Sequence, residues 1–302
     1  MERAWQNGFA IKRRARCRVR NHDGCHFMID TLPPMQGTGA ASEAPASLAI
    51  LVSTCDAYSD AWLPFFQLLE KFWGDCPYPI YMMTSGTPLP YAKAIPIATG
   101  LRQNWSDCLI QALAQIPDSH VLLLLEDYFI TKPVAQAEIA RLFAAAVTDG
   151  WDCLRLFPFP EGGEASERNP EFALIDPGAA YSVCTQAAIW KREFLSSMAV
   201  SGESGWEFEI HGSRRASATA AKLASVVKRT DWLYPIPYFC TAIIRGKWEP
   251  YAIEVCASLG VTVDTSRRKM RSAWDRASEH PLSGAVRRRV RRVLSILGLS
   301  RQ

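Results

Sequence analysis

The sequence predicts an α/β fold: a mostly parallel central sheet flanked by helices, in a single main domain. Short apolar runs typical of buried strands alternate with amphipathic stretches of helical periodicity, which indicates βαβ units. The clearest apolar run, residues 121–130, passes from five aliphatic residues into two acids and two aromatic residues. So short a run fits a strand that is covered on both faces, as strands of parallel sheets are.

Composition and cysteine spacing exclude several classes of protein. The chain has 302 residues, of which 48% are hydrophobic, enough for a sizeable core. Its nine cysteines are scattered singly, which argues against a zinc site and against a disulfide framework. No run approaches the roughly 18 apolar residues of a membrane span. A cytoplasmic protein is therefore expected.

Two basic terminal segments flank the predicted domain. Residues 1–47 hold an Arg-rich cluster followed by a Gly/Ala/Ser/Pro-rich stretch, which predicts a disordered arm and linker. This arm is either a targeting segment or the product of a mis-assigned start, with translation beginning at Met28 or Met35, and the late start is preferred. Residues 48–255 form the predicted domain, and residues 256–302 form a basic helical tail.

The order of elements follows from periodicity. A strand begins at Leu48, an aromatic-rich amphipathic helix follows it, and Asn104 opens the helix before the central strand. Pro133 starts a further amphipathic helix, and a loop or lid begins at Pro158. Other strands are predicted at residues 78–83, 153–157, 181–185, 224–227 and 232–236, with a short helix at residues 191–198.

Carboxylates follow the predicted strands and open the predicted helices. Asp56 ends the first strand, Asp107 lies at a helix start, and Glu126 and Asp127 end the central strand. A later segment, residues 203–209, places three acids around a Trp and a Phe. Ligands of open α/β sheets bind at the carboxyl ends of the strands, so the central pair is well placed to hold a divalent cation. The alternative is that the pair begins a solvated loop and that the other acids cap helices.

The order of these parts resembles the nucleotide-sugar glycosyltransferases of the GT-A fold, and it is most similar to the bacterial enzymes that build capsular, lipopolysaccharide or exopolysaccharide chains. The resemblance covers residues 48–251 and includes the first-strand acid with its aromatic neighbour Tyr58. It implies a Rossmann-like sheet. It also implies transfer of a sugar from a nucleoside diphosphate sugar to a glycan or a lipid-linked acceptor.

In that family the first acid contacts the nucleotide base, the central acids hold a metal on the diphosphate, and a late acid is the base. The family's central signature is two Asp separated by one residue, whereas this chain has Glu126-Asp127-Tyr128. The resemblance implies that Asp127 and Glu126 hold Mn²⁺ or Mg²⁺. The donor-binding residues that we predict are Asp56, Tyr58, Asp107, Glu126, Asp127 and Arg155.

The catalytic base is predicted at Glu207, with Glu209 as second choice. In a helix that begins near Gly205, Glu207 lies in the first turn and Glu209 points roughly 160° away, so only one of them faces the acceptor. In a strand the two side chains share a face, and the choice between them is lost. A capped helix start with solvated acids is the alternative.

The leaving nucleoside diphosphate carries about two negative charges, which a cation or positive side chains must stabilise. Besides a metal, Arg155, Arg245 or Lys247 can supply charge-assisted hydrogen bonds. Aromatic rings stack on the faces of sugar rings, so exposed Trp side chains are candidates for binding a sugar. The alternative for each Trp is that it packs in the hydrophobic core. The rings that we predict to bind the acceptor are Trp190, Trp206 and Trp248.

Three other classes of protein were weighed. A nucleotidyltransferase favours a Gly-rich, basic loop after the first strand, and this chain has neither Gly nor Lys there. A glycoside hydrolase requires paired carboxylates, and Glu126 with Glu207 leaves that alternative open. A non-catalytic carbohydrate-binding protein is disfavoured by the length of the chain and by its βαβ organisation.

The carboxyl-terminal tail has the pattern of a basic amphipathic helix. Apolar residues recur at helical spacing over residues 286–297, opposite five arginines. Peripheral attachment to an anionic membrane surface, at the inner face of the plasma membrane, is the hypothesis. A solvated helix and a partner-binding helix are the alternatives. Nucleic acid is not an expected partner, because no basic surface with interleaved aromatic residues accompanies the tail.

Overall fold

The computed structural model describes residues 45–100, 103–229 and 233–277. The chain divides into two units, one of which is Pro45–Met270. The other combines residues 1–44 with residues 271–302, and only its residues 271–277 are described. The predicted basic arm up to residue 44 and the predicted amphipathic helix at residues 286–297 lie outside the described residues.

The unit Pro45–Met270 is built on an eight-stranded sheet in the order β3-β2-β1-β4-β8-β6-β9-β7, with two small two-stranded sheets, β5 with β10 and β11 with β12. Four neighbouring pairs of the large sheet are parallel and three are antiparallel. The strands are β1 Leu48–Ser53, β2 Ile80–Thr84, β3 Ala94–Ala98, β4 His120–Leu125, β5 Tyr128–Ile130, β6 Cys153–Arg155, β7 Phe172–Ile175, β8 Ala188–Lys191, β9 Leu223–Val226, β10 Tyr238–Thr241, β11 Ile243–Ile244 and β12 Lys247–Trp248.

Helices connect the strands and cover both faces of the large sheet. A 3₁₀ turn, Asp56–Tyr58, joins β1 to the first helix. The helices of this unit are α1 Ser59–Trp73, α2 Trp105–Gln115, α3 Gln136–Asp149, α4 Arg192–Met198, α5 Gly205–Ala216 and α6 Pro250–Ser258. In the other unit, α7 Ala273–Ala277 is preceded by Ser272, whose hydroxyl accepts a hydrogen bond from the amide of Asp275.

The two central strands explain why the sheet forms. All six residues of β1 are buried, and β1 pairs in parallel with β4 from Leu48 opposite His120 to Ser53 opposite Leu125. Alternate side chains of each strand enter opposite layers, as the two-residue period of a strand requires. The predicted α/β fold, a mostly parallel central sheet flanked by helices, is confirmed.

Each face of the sheet has its own core. On one face, Ile50 and Leu122 pack in a cluster with Trp62 of α1 and Ile139 of α3. The residues on the opposite face belong to a second cluster with the helices α2, α4 and α5, and they include Leu51, Leu123, Leu109, Leu195 and Phe208. This three-layer arrangement leaves the two ends of the strands as the places where loops carry polar side chains.

Three sequence-based assignments of strands were wrong. Residues 121–130 do not form one strand, because β4 ends at Leu125 and β5 turns away to pair with β10. Residues 181–185 form no strand, and the strand that pairs with both β4 and β6 is β8, which was not predicted. The described part of the predicted strand at 232–236 is irregular, whereas β7, which begins where the predicted loop ends, was not predicted.

The domain boundary that we predicted at residue 255 also falls too early. The unit continues to Met270. Cys256 and Val261 are buried in its core, and Arg268 forms an ion pair with Asp60 at 2.9 Å. Burial and a long-range ion pair hold residues 256–270 in the domain. Among the described residues, no helix has both the length and the apolar character needed to cross a membrane.

Candidate active site

The candidate site lies where the chain reverses its direction across the sheet. From β1 the chain adds β2 and then β3 on one side, whereas β4 lies on the other side of β1. Such a switch point opens a crevice at the carboxyl ends of the strands, and this is where open α/β sheets bind ligands. The 3₁₀ turn after β1 and the acid pair after β4, Glu126 and Asp127, flank this crevice.

The acid pair is buried, with each residue only 6% exposed. Oδ2 of Asp127 accepts hydrogen bonds from the hydroxyl of Thr241 and from the amide of Ile243, the latter at 3.2 Å. Burial raises the pKa of Glu126 well above its usual value, and the charge of Asp127 raises it further. Burial also raises the pKa of Asp127, against the lowering effect of those hydrogen bonds. Two buried acids held close together favour a positive partner.

These two carboxylates fit a divalent cation that shares its coordination with phosphates. No cluster of three or more metal-binding side chains occurs among the described residues. Mg²⁺ at phosphate-transfer sites commonly takes one or two carboxylates and completes its shell with phosphate oxygens and water. A buried acid pair at the edge of the crevice suits that kind of site, and it does not suit a cation held by protein ligands alone.

Asp56 links two loops of the crevice through hydrogen bonds. Its Oδ1 accepts from the amide of Ser85 at 2.7 Å and from the hydroxyl of Thr84 at 3.2 Å. Its Oδ2 accepts from the amide and the hydroxyl of Thr87, at 3.1 and 2.6 Å. Burial alone would raise its pKa, but these hydrogen bonds outweigh it, so the pKa of Asp56 is lowered. The carboxylate ties the end of β1 to the loop after β2, and its contact with a nucleotide base stays a prediction.

Sequence reasoning missed Arg268, which lies at the turn after β1, on one side of the crevice. Its guanidinium forms a bidentate ion pair with Asp60, with both N···O distances at 2.9 Å. It also lies over the ring of Tyr58, 4.4 Å from the centroid. The charge of Arg268 lowers the pKa of Glu126 and of Asp127 against the larger effect of burial. No sequence signal links it to Asp60, 208 positions away.

Arg155 is not available to the crevice, so its predicted contact with the donor needs correction. It is 1% exposed. Its Nη1 donates to the carbonyl of Pro160 at 2.6 Å, and its Nη2 donates to the carbonyls of Tyr181 and Ser182 at 2.9 and 3.2 Å. A guanidinium enclosed by carbonyl groups holds the surrounding loops together. Of the other cations that we predicted, Arg245 lies in the turn between β11 and β12, and Lys247 begins β12.

Of the two arrangements left open for Glu207 and Glu209, the structure has the helix, α5, which begins at Gly205 and separates the two candidate bases. Glu207 is exposed and completes a capping box with Ser204, accepting from its amide at 2.9 Å and from its hydroxyl at 2.8 Å. These hydrogen bonds lower the pKa of Glu207. A carboxylate held in this way and facing solvent is a weak base.

Glu209 has the opposite environment. It is partly exposed, and its Oε1 accepts from the amide and the hydroxyl of Thr185, at 2.7 and 2.8 Å. Burial raises its pKa, although the hydrogen bonds from Thr185 and the charge of Arg155 oppose that rise. Tyr128, which follows the acid pair, donates its hydroxyl to the carbonyl of Thr185 at 3.2 Å. Glu209 therefore connects to the acid pair through Thr185 and Tyr128.

The amino-terminal ends of α2 and α5 meet at the same edge of the sheet. The amide of Ser106 donates to the carbonyl of Glu203 at 3.0 Å. Asp107 in the first turn of α2 has a lowered pKa because it accepts hydrogen bonds from Ser201 and Asn104. Asp107 thus joins the two helix starts, and its contact with the donor stays a prediction.

The three predicted acceptor-binding rings have different positions. Trp190 in β8 and Trp248 in β12 are fully buried, and a ring without an exposed face offers no platform to a sugar. That prediction is corrected for both residues. Trp206 is 67% exposed at the start of α5, beside the candidate bases. It alone of the three has a ring face open to an acceptor.

No model of a known protein family matches the chain, and no curated protein sequence matches it. Among solved structures, TarS of S. aureus is 14% identical with a TM-score of 0.42, over 62% of this chain and 36% of TarS. Glucosyl-3-phosphoglycerate synthase of Mycobacterium tuberculosis is 10% identical with a TM-score of 0.38, over 76% of this chain and 82% of the synthase. The bifunctional IspDF of Campylobacter jejuni is 14% identical with a TM-score of 0.36, over 64% of this chain and 52% of IspDF.

These likenesses are partial. The chain spans about a third of the length of TarS and about half of IspDF. Identities below 15% and TM-scores below 0.5 relate this chain to others by general architecture only, and they carry no argument about its substrates.

Proposed function

We propose that this protein is a glycosyltransferase that moves a sugar from a nucleoside diphosphate sugar to a saccharide-containing acceptor. The observation that carries the proposal is the buried acid pair, Glu126 and Asp127, at the switch point of the sheet and within electrostatic reach of Arg268. A phosphate-bearing ligand is the ligand class that a crevice with this placement and charge suits best. The resemblance of the motif order to GT-A enzymes supports the same class.

In this proposal Asp127 and Glu126 hold Mn²⁺ or Mg²⁺. When bound, the ion neutralises charge on the leaving diphosphate as a Lewis acid. Asp127 keeps its carboxylate oriented through Thr241 and Ile243. Asp56 holds the end of β1 to the loop after β2, which fixes the shape of the β1 side of the crevice that receives the nucleotide.

Glu209 is the proposed base. Its carboxylate takes the proton of the acceptor hydroxyl while that oxygen forms the bond to the anomeric carbon and the bond from that carbon to the diphosphate oxygen breaks. A raised pKa matches a base to this task near neutral pH. The structural position of Glu207 in the capping box makes it the second candidate, which reverses the order predicted from sequence.

The acceptor is proposed to be a glycan or lipid-linked saccharide of cell-surface polysaccharide synthesis, with the exposed ring of Trp206 as its platform. Attachment of residues 286–297 to an anionic inner-membrane surface would place the enzyme near such acceptors. That segment lies outside the described residues.

A thermal-shift screen tests the proposal. UDP-, GDP-, ADP- and dTDP-sugars are each added to the full chain with and without Mn²⁺. We expect one nucleotide class to raise Tm, and to raise it further with Mn²⁺, because a ligand that binds only the folded state stabilises by about 2.7 kcal/mol at a hundredfold excess over Kd. No shift with any donor, with or without the ion, would remove the glycosyltransferase assignment.

A further inference from the structure

The segment at residues 261–270, here called the strap, returns from α6 to the carboxyl edge of the sheet. Val261 is buried in the core, and the carbonyl of Lys269 accepts the amide of Trp248 at 2.9 Å. Between these two anchors, Nη1 of Arg267 donates to the hydroxyl of Ser59 at 3.0 Å. The strap therefore reaches the start of α1, immediately after the turn that follows β1.

Arg268 is the strap residue that enters the site. Its side chain is 10% exposed, and that of its ion-pair partner Asp60 is 2% exposed. Its Nη2 also donates to the carbonyl of Ala57 at 2.9 Å, and its Nη1 donates to the carbonyl of Gly246 at 3.2 Å. Among the described residues these contacts use four of the five guanidinium N–H bonds, which leaves one on Nη1.

The guanidinium has contacts beyond its ion pair. It lies at the turn that follows β1, which flanks the crevice, because it donates to the carbonyl of Ala57 in that turn. It also packs against Tyr58 at 4.4 Å and against Trp248 at 5.8 Å, measured to the ring centroids. Aromatic packing and the bidentate pair fix the planar group in one orientation. A cation fixed at this turn can bind an anion in the crevice with little reorganisation.

We propose that Arg268 binds the diphosphate of the donor, so that the strap supplies one wall of the donor site. This inference rests on the proposed function, and it assigns to Arg268 the role that sequence reasoning offered to Arg155, Arg245 or Lys247. Arginine suits it because the guanidinium stays charged and presents N–H donors in a plane that matches phosphate oxygens. Asp60 orients the group, and the remaining Nη1 hydrogen is the donor that it can offer to a phosphate oxygen.

If Arg268 only stabilised the fold, its loss would affect stability and not the binding of a diphosphate. Because Asp60 is its ion-pair partner, variants of both residues can distinguish the structural role from the binding role. Arg268→Gln alone leaves Asp60 buried without its partner, which lowers stability whichever role is right. The double variant Asp60→Asn/Arg268→Gln replaces the ion pair by two neutral amides of similar shape. The double variant removes the positive charge of Arg268, and it also removes the carboxylate of Asp60 that would otherwise be buried without a partner.

The experiment measures binding by calorimetry for the nucleoside diphosphate whose sugar gives the largest shift in the screen, and for the matching nucleoside without phosphates. The variants are Arg268→Gln, the double variant and Arg267→Gln, the last as a matched control on the same strap. We expect the first two to weaken diphosphate binding about 10- to 100-fold. Nucleoside binding should change by less than about threefold, and Arg267→Gln should bind as the unmodified chain does.

Recovery of both Tm and diphosphate affinity in the double variant would overturn the inference, since Arg268 would then act only through Asp60. Equal diphosphate affinity in Arg268→Gln and the unmodified chain would overturn it as well. Recovery of Tm without recovery of affinity supports it. Failure of the unmodified chain to bind any nucleotide is a separate result, which contradicts the proposed function itself.

Discussion

Glu209→Gln is expected to lower kcat by roughly 10²- to 10⁴-fold, the usual contribution of a general base. The amide oxygen of Gln can still accept from the amide and the hydroxyl of Thr185, so the loop before β8 keeps its position. The affinity for the donor should stay within about twofold, because the base acts on the acceptor hydroxyl. Initial rates and donor binding, measured on the same preparation, check both statements.

Glu207→Gln is the matched control, two positions away on the same helix. Gln at this position also completes a capping box, so α5 should keep its start. We expect kcat within about threefold of the unmodified chain. Loss of turnover in Glu207→Gln with full activity in Glu209→Gln would return the role to Glu207, and full activity in both would place the base elsewhere.

The pH dependence of kcat follows from the environment of Glu209. Burial raises its pKa above the ordinary 4.5, and the carboxylate must be ionised to take a proton. The rate should therefore fall as the pH drops through this raised pKa, and Glu209→Gln should lose that limb of the profile. A limb that persists unchanged in the variant would belong to another group.

Asp127→Asn is expected to weaken metal-dependent nucleotide binding by at least about a hundredfold, or ~2.7 kcal/mol. One oxygen of Asn can still accept from Thr241 and Ile243, so the contacts that hold the turn after β4 are retained. The change removes one negative charge from a buried pair. Calorimetric titration of the nucleotide in the presence of Mn²⁺ measures the loss.

Asp118→Asn is the control for this variant, because Asp118 lies in the turn before β4, at the opposite end of the same strand. It should leave nucleotide affinity unchanged. A folded Asp127→Asn protein with unaltered Mn²⁺-dependent affinity would remove the acid pair from the donor site.

Local patterns in the sequence predicted individual strands and helices. The short, continuous apolar run of β1 indicates a strand buried on both faces, and the aromatic residues of α1 recur with the 3.6-residue period of one helix face. The start of α5 was predictable because a Ser three residues before a Glu is a capping box. From that helix it followed that Glu207 and Glu209 point apart.

Contacts between segments that are distant in the sequence could not be predicted from such local patterns. The apolar run after Leu125 continues into β5, but its pairing with β10 depends on residues more than a hundred positions later. Arg268 pairs with Asp60 across 208 positions of sequence, and neither residue lies in a sequence motif that predicts this pairing. Arg155 was predicted as a ligand because a positive side chain can make charge-assisted hydrogen bonds to a diphosphate, yet burial among carbonyl groups decides its role.

Protection of Cys55 from alkylation tests the central claim, that the nucleotide occupies the crevice between β1 and β4. Cys55 is exposed directly after β1, and partial burial and the charge of Glu126 raise the pKa of its thiol, so the reaction is run at alkaline pH. Cys76, beyond the other end of α1, is the internal control. Saturating nucleoside diphosphate with Mn²⁺ should slow alkylation at Cys55 at least about tenfold and leave Cys76 unchanged, as read by peptide mass spectrometry. Equal rates at Cys55 with and without a nucleotide that demonstrably binds the protein would contradict the account.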